Sequence, residues 1–519
     1  MTSTWTPGKV MVSGNGGMVA AQHQVAAQAG ADILARGGNA VDAAVTTALV
    51  LSVVEPWLSG IGGGGFMIWR NGQTGDARSL DFSMISPAGV RVEDYPVKTG
   101  KDDDWFNWPQ VEGQRNLIGV HSICVPGAVA GLAEALATLG TITWADALAP
   151  AIAEAERGLA VDWFTTLCLS IDAPNLLTDA ASTRMFLPDG RPPRLGEGNV
   201  TQRLPMTAKA ETLKRLAGNG ADDFYRGEIA RDLIADMTEL GGKMTLDDLA
   251  RYRPRWGKPL KMDWAGSTVL AMPGLSGGPA LFHVLTQLEG AADAEPTAEF
   301  YARAADAIRS AYAHRLTTIG HAKTTGIDPG CTTHLSVIDA DGNAVSLTNT
   351  LLSRFGSKVT SRRTGMLLNN GMMWFDPRPG MPNSIAPDRQ PLANMCPVVA
   401  ELPDGGVLAV GAAGGRQIMP AIAQILAFRL RHGLDLGQTL SQPRIDASGP
   451  QIRVDRRAPD STAGLIARHH PVDVVDDVLY PVQFAIPSAV ERRADGTVHG
   501  MVHPNHPWSS AVAAERGGS

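Results

Sequence analysis

"DPGCTTHLSVIDADGNAVSLTNT", from Asp328 to Thr350, holds two alternating apolar/polar runs on either side of Asp341-Gly342. Asp-Gly between period-2 runs is a strong signal for a two-residue hairpin turn. With the turn centred there, residue numbers across the ladder sum to about 683, with a slip of one or two residues allowed. Thr332 then faces the region of Thr350, hydroxyl beside hydroxyl. Threonine is a poor nucleophile without an adjacent base. Either these are ordinary strand residues, or something alters the chemistry of Thr332.

Outward from this hairpin the pattern is α+β. "THLSVID", "NAVSLTNT", "GMLLNN", "MCPVVAEL" and "GVLAVGA" read as strands joined mostly by hairpins, and "QIMPAIAQILAFRLRHG" as the helix that closes the group. Upstream, residues 20–35 read as a helix stopping at Gly37-Gly38, and Asn39 can cap a second, nearly all-apolar helix that stops at Pro56. A helix apolar on every face is buried. "RNLIGVHSICVPGAVAGLAEALATLG" reads as a strand, a Pro-Gly break and a helix. Residues 207–252 read as mainly helical. In "LSGIGGGGFMIWR" no Lys-Ser/Thr follows the glycines and a strand comes next, so a phosphate loop is excluded and close backbone packing is expected.

The chain has 519 residues, 44% of them hydrophobic, which is ample for a large core. A net charge of -7 gives no basic surplus for nucleic acid or an anionic membrane. Cys124, Cys168, Cys331 and Cys396 are scattered, so neither a disulfide framework nor a metal site is indicated, and no cofactor is expected. No apolar run reaches the roughly 18 residues of a membrane span. The first residues lack an apolar run of signal-peptide length, so a cytoplasmic location is expected. In "GVLAVGAAGGRQIMPAIAQ" a strand ends at Gly411, a helix starts near Gln417, and Gly414-Gly415 lie between them. Uncovered N–H groups there can hold an oxyanion; a plain tight turn is the alternative.

Together "GGNAVDAAV", "GIGGGGFMIW", "VPGAVAGL", "TTHLSVIDADGNAVSLTNT", "LLNNGM", "PLANMCP" and "GAAGGRQ" resemble, in order and over nearly the whole chain, the γ-glutamyltranspeptidase family of N-terminal-nucleophile hydrolases. The resemblance implies a four-layer αββα sandwich, made as one precursor that cuts itself before the first threonine of the TTH motif. Here the cut falls between Cys331 and Thr332, giving a large chain 1–331 and a small chain 332–519. These stay together as a heterodimer in one αββα unit, with further assembly into a homo-oligomer left open. Cleavage makes the α-amine of Thr332 the general base for its own hydroxyl. The resemblance further implies that Thr350 holds the nucleophile and that Gly414 and Gly415 form the oxyanion hole. His334 is assigned to the strand interior.

The match breaks at the positions that bind glutamate in the family. The carboxylate-pairing arginine after an Asp-Phe pair is Ser83 here. The asparagine two residues after the Thr350 counterpart is Leu352. The glutamine and aspartate after "LLNN" are Gly371 and Trp374, and the serine pair of the PLSSM motif is Ala393-Asn394. Losing a bidentate guanidinium and its companions cripples glutamyl binding unless new partners compensate. Leu352 and Trp374 are expected to make the substrate site more apolar and flatter. Arg416 is either a relocated cation or an ordinary surface residue. The loop "DPRPGMPNSIAPDRQ" is a candidate lid, and the stretch before Thr332 reads as short for the family. The leading reading is an Ntn hydrolase or acyltransferase acting on a small-molecule acyl substrate other than an ordinary γ-glutamyl compound. The alternatives are a C–C bond hydrolase of secondary metabolism like relatives in alkyl-proline antibiotic pathways, a true γ-glutamyl enzyme, and a non-catalytic scaffold.

Overall fold

The opening hairpin is the centre of the molecule. The structure is a computed structural model that describes residues 8–98, 109–198, 200–290, 295–318 and 331–515. Strands Cys331–Asp339 and Ala344–Leu352 pair antiparallel, with Thr333 opposite Asn349 and Ile338 opposite Ala344. The turn is one residue longer than Asp-Gly alone. Asp339 N–H donates to Asn343 O and Gly342 N–H to Asp339 O, with Gly342 at φ 81°. A left-handed glycine closing a three-residue loop is the next most common hairpin solution. The register shifts between Cys331 and Thr333, so Thr332 sits in a bulge. Bulges re-aim a side chain and are frequent at functional sites.

This hairpin lies inside a seven-stranded antiparallel sheet in the order Ser510–Ala513, Gly17–Ala21, Cys331–Asp339, Ala344–Leu352, Gly64–Arg70, Ala77–Phe82, Arg255–Gly257. A second seven-stranded antiparallel sheet faces it. Its order is Val12–Gly14, Val498–Val502, Ile486–Arg492, Val407–Ala413, Val398–Glu401, Ser267–Ala271, Leu260–Trp264. Between them lies an apolar layer that includes Met18, Phe66, Ile338, Val399, Ala409 and Val490. Ser346 Oγ bridges the sheets, donating to Val410 O and accepting from Val398 N–H. Gly411 lets His334 in, since a Cβ there would stand 2.3 Å from the imidazole Cε1.

Helices cover both outer faces. Gln24–Ala35, Ala40–Val54 and Trp144–Arg157 pack on the first sheet's side, and Gly278–Gln287, Ala298–Thr318 and Ile418–Leu426 on the second's. The result is an αββα sandwich. Helix Ala40–Val54 starts as its sequence requires. Asn39 accepts from the N–H groups of Val41 and Asp42, and Asp42 closes a capping box. Its residues are buried all round except at the last, Val54.

Three local expectations are corrected. The first helix begins at Gln24, because residues 17–21 are a fully buried strand. Residues 115–125 form no strand beyond a bridge of Val125 to Ile85, and "GMLLNN" forms only a bridge of Leu367 to Thr360. Ile123, Cys124 and Val125 in the first and Met366, Leu367 and Leu368 in the second are buried in succession without alternation, so their period gave no reliable sign. Strands Ile486–Arg492, Val498–Val502 and Ser510–Ala513, beyond the closing helix, complete the two sheets. No helix among the described residues is long and apolar enough to cross a membrane. The stretch before Cys331 lies outside the described residues.

Candidate active site

The bulge at Thr332 and the end of the neighbouring strand bring two hydroxyls together. Thr332 Oγ1 lies 3.3 Å from Thr350 Oγ1, and both residues are buried. Thr350 Oγ1 also accepts the Leu352 N–H at 2.8 Å. That bond fills an acceptor position on Thr350 Oγ1, and in the contact with Thr332 either hydroxyl can donate. Leu352 itself has φ 86°, and Phe355 (57°), Gly356 (50°) and Lys358 (65°) follow it in left-handed conformations. Non-glycine residues at positive φ cost about 1–3 kcal/mol each and gather at functional sites. Lys358 Nζ ties the loop down by donating to Ser353 Oγ at 2.9 Å and Gly356 O at 3.1 Å.

On the facing sheet, strand Val407–Ala413 ends at Gly414, whose φ is 134°, and Gly415 follows at 55°. A Cβ on Gly414 would lie 2.9 Å from Ala485 Cα, so a side chain fits there neither sterically nor conformationally. The turn opens a short helical segment, Gly415–Gln417, that runs into helix Ile418–Leu426. Thr332 and Gly414 line one cavity, of about 650 Å³ with the open solvent at its mouth included. Most of its wall is apolar. Phe164, Leu167, Cys168 and Ile171 come from one face of helix Trp163–Leu176, at the 3–4 residue spacing that puts them on a single stripe. Trp57, Leu58, Ala413, Tyr480, Val482 and Ile486 add to them. Tyr480 and Val482 are exposed, placing them at the mouth.

Arg354 is the one formally charged side chain among the described residues that line this cavity, if His506 is neutral. It comes from the left-handed loop after Thr350, and its Nε donates to Asp172 Oδ2 at 2.5 Å. Lys358 Nζ lies 3.9 Å from the other Asp172 oxygen. Two cations thus share one carboxylate. Burial pushes His506 well below the usual imidazole range, with Lys9, His503 and His23 adding to the effect. His334 does not reach the cavity. Its Nδ1 meets Thr348 Oγ1 and its Nε2 meets Ser336 Oγ, both at 3.0 Å, and burial holds it down at about 3.

The other sequence-derived positions lie elsewhere. Ser83, Leu352, Gly371, Trp374, Ala393, Asn394 and Arg416 are all buried, and none lines the cavity at Thr332. Leu352, Trp374 and Ala393 belong to the apolar layer between the sheets, together with Met372, Met373 and Tyr95. At Gly371 a Cβ would stand 2.5 Å from Cys124 Sγ. Arg416 is buried over the Tyr312 ring, with its guanidinium carbon 5.1 Å from the centroid. The segment 376–390 is strapped down. Ser86 Oγ donates to Ala386 O at 2.5 Å, and Asn383 Nδ2 donates to Trp374 O at 2.6 Å. Cys124, Cys168 and Cys396 are buried.

Sequence reading missed Trp57, Phe164, Arg354, Tyr480 and His506. The stripe at Phe164, Leu167, Cys168 and Ile171 was available from helical periodicity. Arg354 and His506 carried no local signal, since only the fold brings them beside Thr332.

A threonine pair at a cavity, facing a left-handed glycine turn across two sheets, suits acyl transfer. The gamma-glutamyltranspeptidase family model matches residues 26–328 and 317–512. The chain belongs to the gamma-glutamyltranspeptidase family. It is 33% identical to the acylase ACY 1 proenzyme of Pseudomonas sp. (strain SE83), over 95% of this chain and 92% of that protein. It is 30% identical to the glutathione hydrolase proenzyme of Bacillus subtilis (strain 168), over 83% of this chain and 81% of that protein. Among solved structures it is similar to a cephalosporin acylase from Bacillus halodurans. That match has a TM-score of 0.85 and 26% identity, and covers 99% of this chain and 98% of that one. The family makes this an Ntn-type hydrolase or transferase. Both curated relatives are named proenzymes.

Proposed function

We propose that this protein cuts itself between Cys331 and Thr332 and then cleaves an amide-like acyl bond through an acyl-threonine ester on Thr332. The observation that carries the reading is the 3.3 Å approach of Thr350 Oγ1 to Thr332 Oγ1 at a cavity shared with Gly414. After the cut, Thr332 Oγ1 attacks the acyl carbon and its proton passes to the new α-amine. An α-amine titrates near about 7.7–8.0, so it accepts a proton at neutral pH. The carbonyl electrons move to the oxygen, where the Gly414-Gly415 backbone stabilises the oxyanion. Collapse expels the amine, which takes the proton from the α-ammonium. Water or a second amine then resolves the ester.

Both sheets interleave strands from 1–331 with strands from 332–519, which supports two chains that stay associated after cleavage. The substrate is a small acyl compound. The apolar wall around Phe164 and Trp57 suits an apolar acyl stem, and Arg354 suits an anionic group at its end. Ser83, Gly371 and Trp374 supply no counterpart of the family's glutamate ligands, which weighs against ordinary γ-glutamyl donors. Intact mass of the purified wild type beside Thr332→Ala tests the reading. Two fragments meeting at Cys331/Thr332 are expected from the wild type and one uncut chain from the variant. An active wild type that remains whole defeats the mechanism.

A further inference from the structure

A buried carboxyl stands behind the nucleophile, and the mechanism above leaves it unused. Glu55 follows helix Ala40–Val54 as its C-cap and is 0% exposed. Its Oε2 accepts from Thr333 Oγ1 at 3.0 Å. Its Oε1 has no hydrogen-bond partner among the described residues and lies 3.7 Å from His506 Nε2. Ser509 N–H donates to His506 Nδ1 at 3.2 Å. Nδ1 is therefore the acceptor, and the hydrogen of the neutral ring sits on Nε2, the atom nearest Glu55. The His506 ring stands edge-on to Phe164, with centroids 5.5 Å apart, and both residues line the cavity beside Thr332.

A purely structural partner for the Thr333 hydroxyl need not be ionisable. An amide or a second hydroxyl would do it at lower desolvation cost. A carboxyl buried with one oxygen unsatisfied calls for an explanation. We propose that Glu55 is a positioning residue for the threonine nucleophile. It anchors Thr333 from behind the strand through the 3.0 Å bond to Thr333 Oγ1, and so fixes the neighbouring Thr332 in the bulge. The inference rests on Thr332 being the nucleophile. Burial favours the protonated acid, with the Thr333 bond opposing it. A protonated acid has the hydrogen-bonding pattern of an amide, so glutamine is its close mimic.

The experiment compares wild type, Glu55→Ala, Glu55→Gln and Thr333→Val. Self-cleavage half-time is read by intact mass, kcat and KM with p-nitrophenyl butyrate, and the folded state by the urea midpoint. Glu55→Ala is expected to slow cleavage and lower kcat by about 100-fold, the cost of displacing a reacting group by about 1 Å, with KM nearly unchanged. Glu55→Gln is expected to restore both rates to near wild type. Thr333→Val, which keeps the β-branched shape, is expected to lower kcat in the same direction, and it serves if Glu55→Ala does not fold. The proposal is overturned if Glu55→Ala or Thr333→Val cleaves and turns over like wild type. It is also overturned if alanine and glutamine variants lose rate alike, in step with their urea midpoints. A wild type that never cleaves defeats the nucleophile assignment itself, a distinct failure.

Discussion

Thr350→Val removes one hydroxyl and almost no volume. The contacts that disappear with it include the 3.3 Å approach to Thr332 Oγ1 and the 2.8 Å bond from Leu352 N–H. They act on different observables. The Leu352 amide belongs to a buried residue, so orphaning it is expected to cost about 1–3 kcal/mol of stability. The contact with Thr332 matters most as Oγ1 gains negative charge during attack. A charge-assisted bond of about 1.5–3 kcal/mol lost only in the transition state slows the step by about 10- to 150-fold. Thr350→Ser keeps the hydroxyl and should lose little on either count. The assay is a time course of precursor mass after rapid purification, with a urea titration on each variant. Thr350→Val should show slow cleavage and a lowered midpoint, and Thr350→Ser should sit near wild type. If Thr350→Val cleaves at the wild-type rate while its midpoint falls as expected, Thr350 is a structural cap for the Leu352 turn and the mechanistic role is refuted.

Other outcomes follow from the same geometry. Gly414→Ala places a Cβ 2.9 Å from Ala485 Cα at φ 134°, so it should abolish turnover and lower stability. Gly218→Ala, in an open helical position, should stabilise by about 0.5–1 kcal/mol in the same urea assay. Arg354→Met should lower kcat/KM for acyl anilides ending in a carboxylate by about 10- to 100-fold and leave uncharged acyl anilides little changed. An equal loss on both series would make Arg354 a packing residue. His334 is held at about 3 in the folded chain, below its ordinary 6.5. The unfolded chain therefore binds a proton that the folded chain refuses as pH falls from 6.5 towards 3, so stability drops through that window. The slope from this one group approaches about 1.4 kcal/mol per pH unit. Urea midpoints at several pH values should show a shallower acid slope in His334→Gln.

The proposed reaction centre was legible in the sequence because its parts are local. Asp341-Gly342 sets the hairpin register within one residue, and that register is enough to bring Thr332 to Thr350. Gly414-Gly415 falls between a strand and a helix that both announce themselves by period. The cavity wall is a different case. Phe164, Arg354, Tyr480 and His506 come from four separate segments, and their meeting depends on how those segments cross the sheets. Arg354 was invisible for a further reason. It stands between left-handed residues, Leu352 before it and Phe355, Gly356 and Lys358 after it, and the loop is tied down by side-chain bonds from Lys358 rather than by Asn or Gly at every such position. Residues 115–125 and 366–370 misled because Ile123–Val125 and Met366–Leu368 are buried in succession in irregular backbone, where period carries no information.

The positions that the family resemblance assigns to glutamate binding also bear on whether γ-glutamyl ligands could be built into this chain. A glutamine at position 371 would push its Cβ to within 2.5 Å of Cys124 Sγ, a buried side chain on the facing segment. An aspartate at 374 would put a carboxylate into the apolar layer between the sheets, where Met372, Met373 and Tyr95 now pack. A buried unpaired charge costs several kcal/mol, and removing a buried tryptophan adds about 3–5 kcal/mol. An arginine at 83 would have to displace residues around a side chain that is 2% exposed. Each of these substitutions is thus unfavourable while its present neighbours, Cys124 among them, stay in place. Trp374→Asp should therefore lower the urea midpoint without raising turnover of a γ-glutamyl anilide. A gain in that turnover from the single change would mean that the space around Trp374 opens to substrate, against the packing described here.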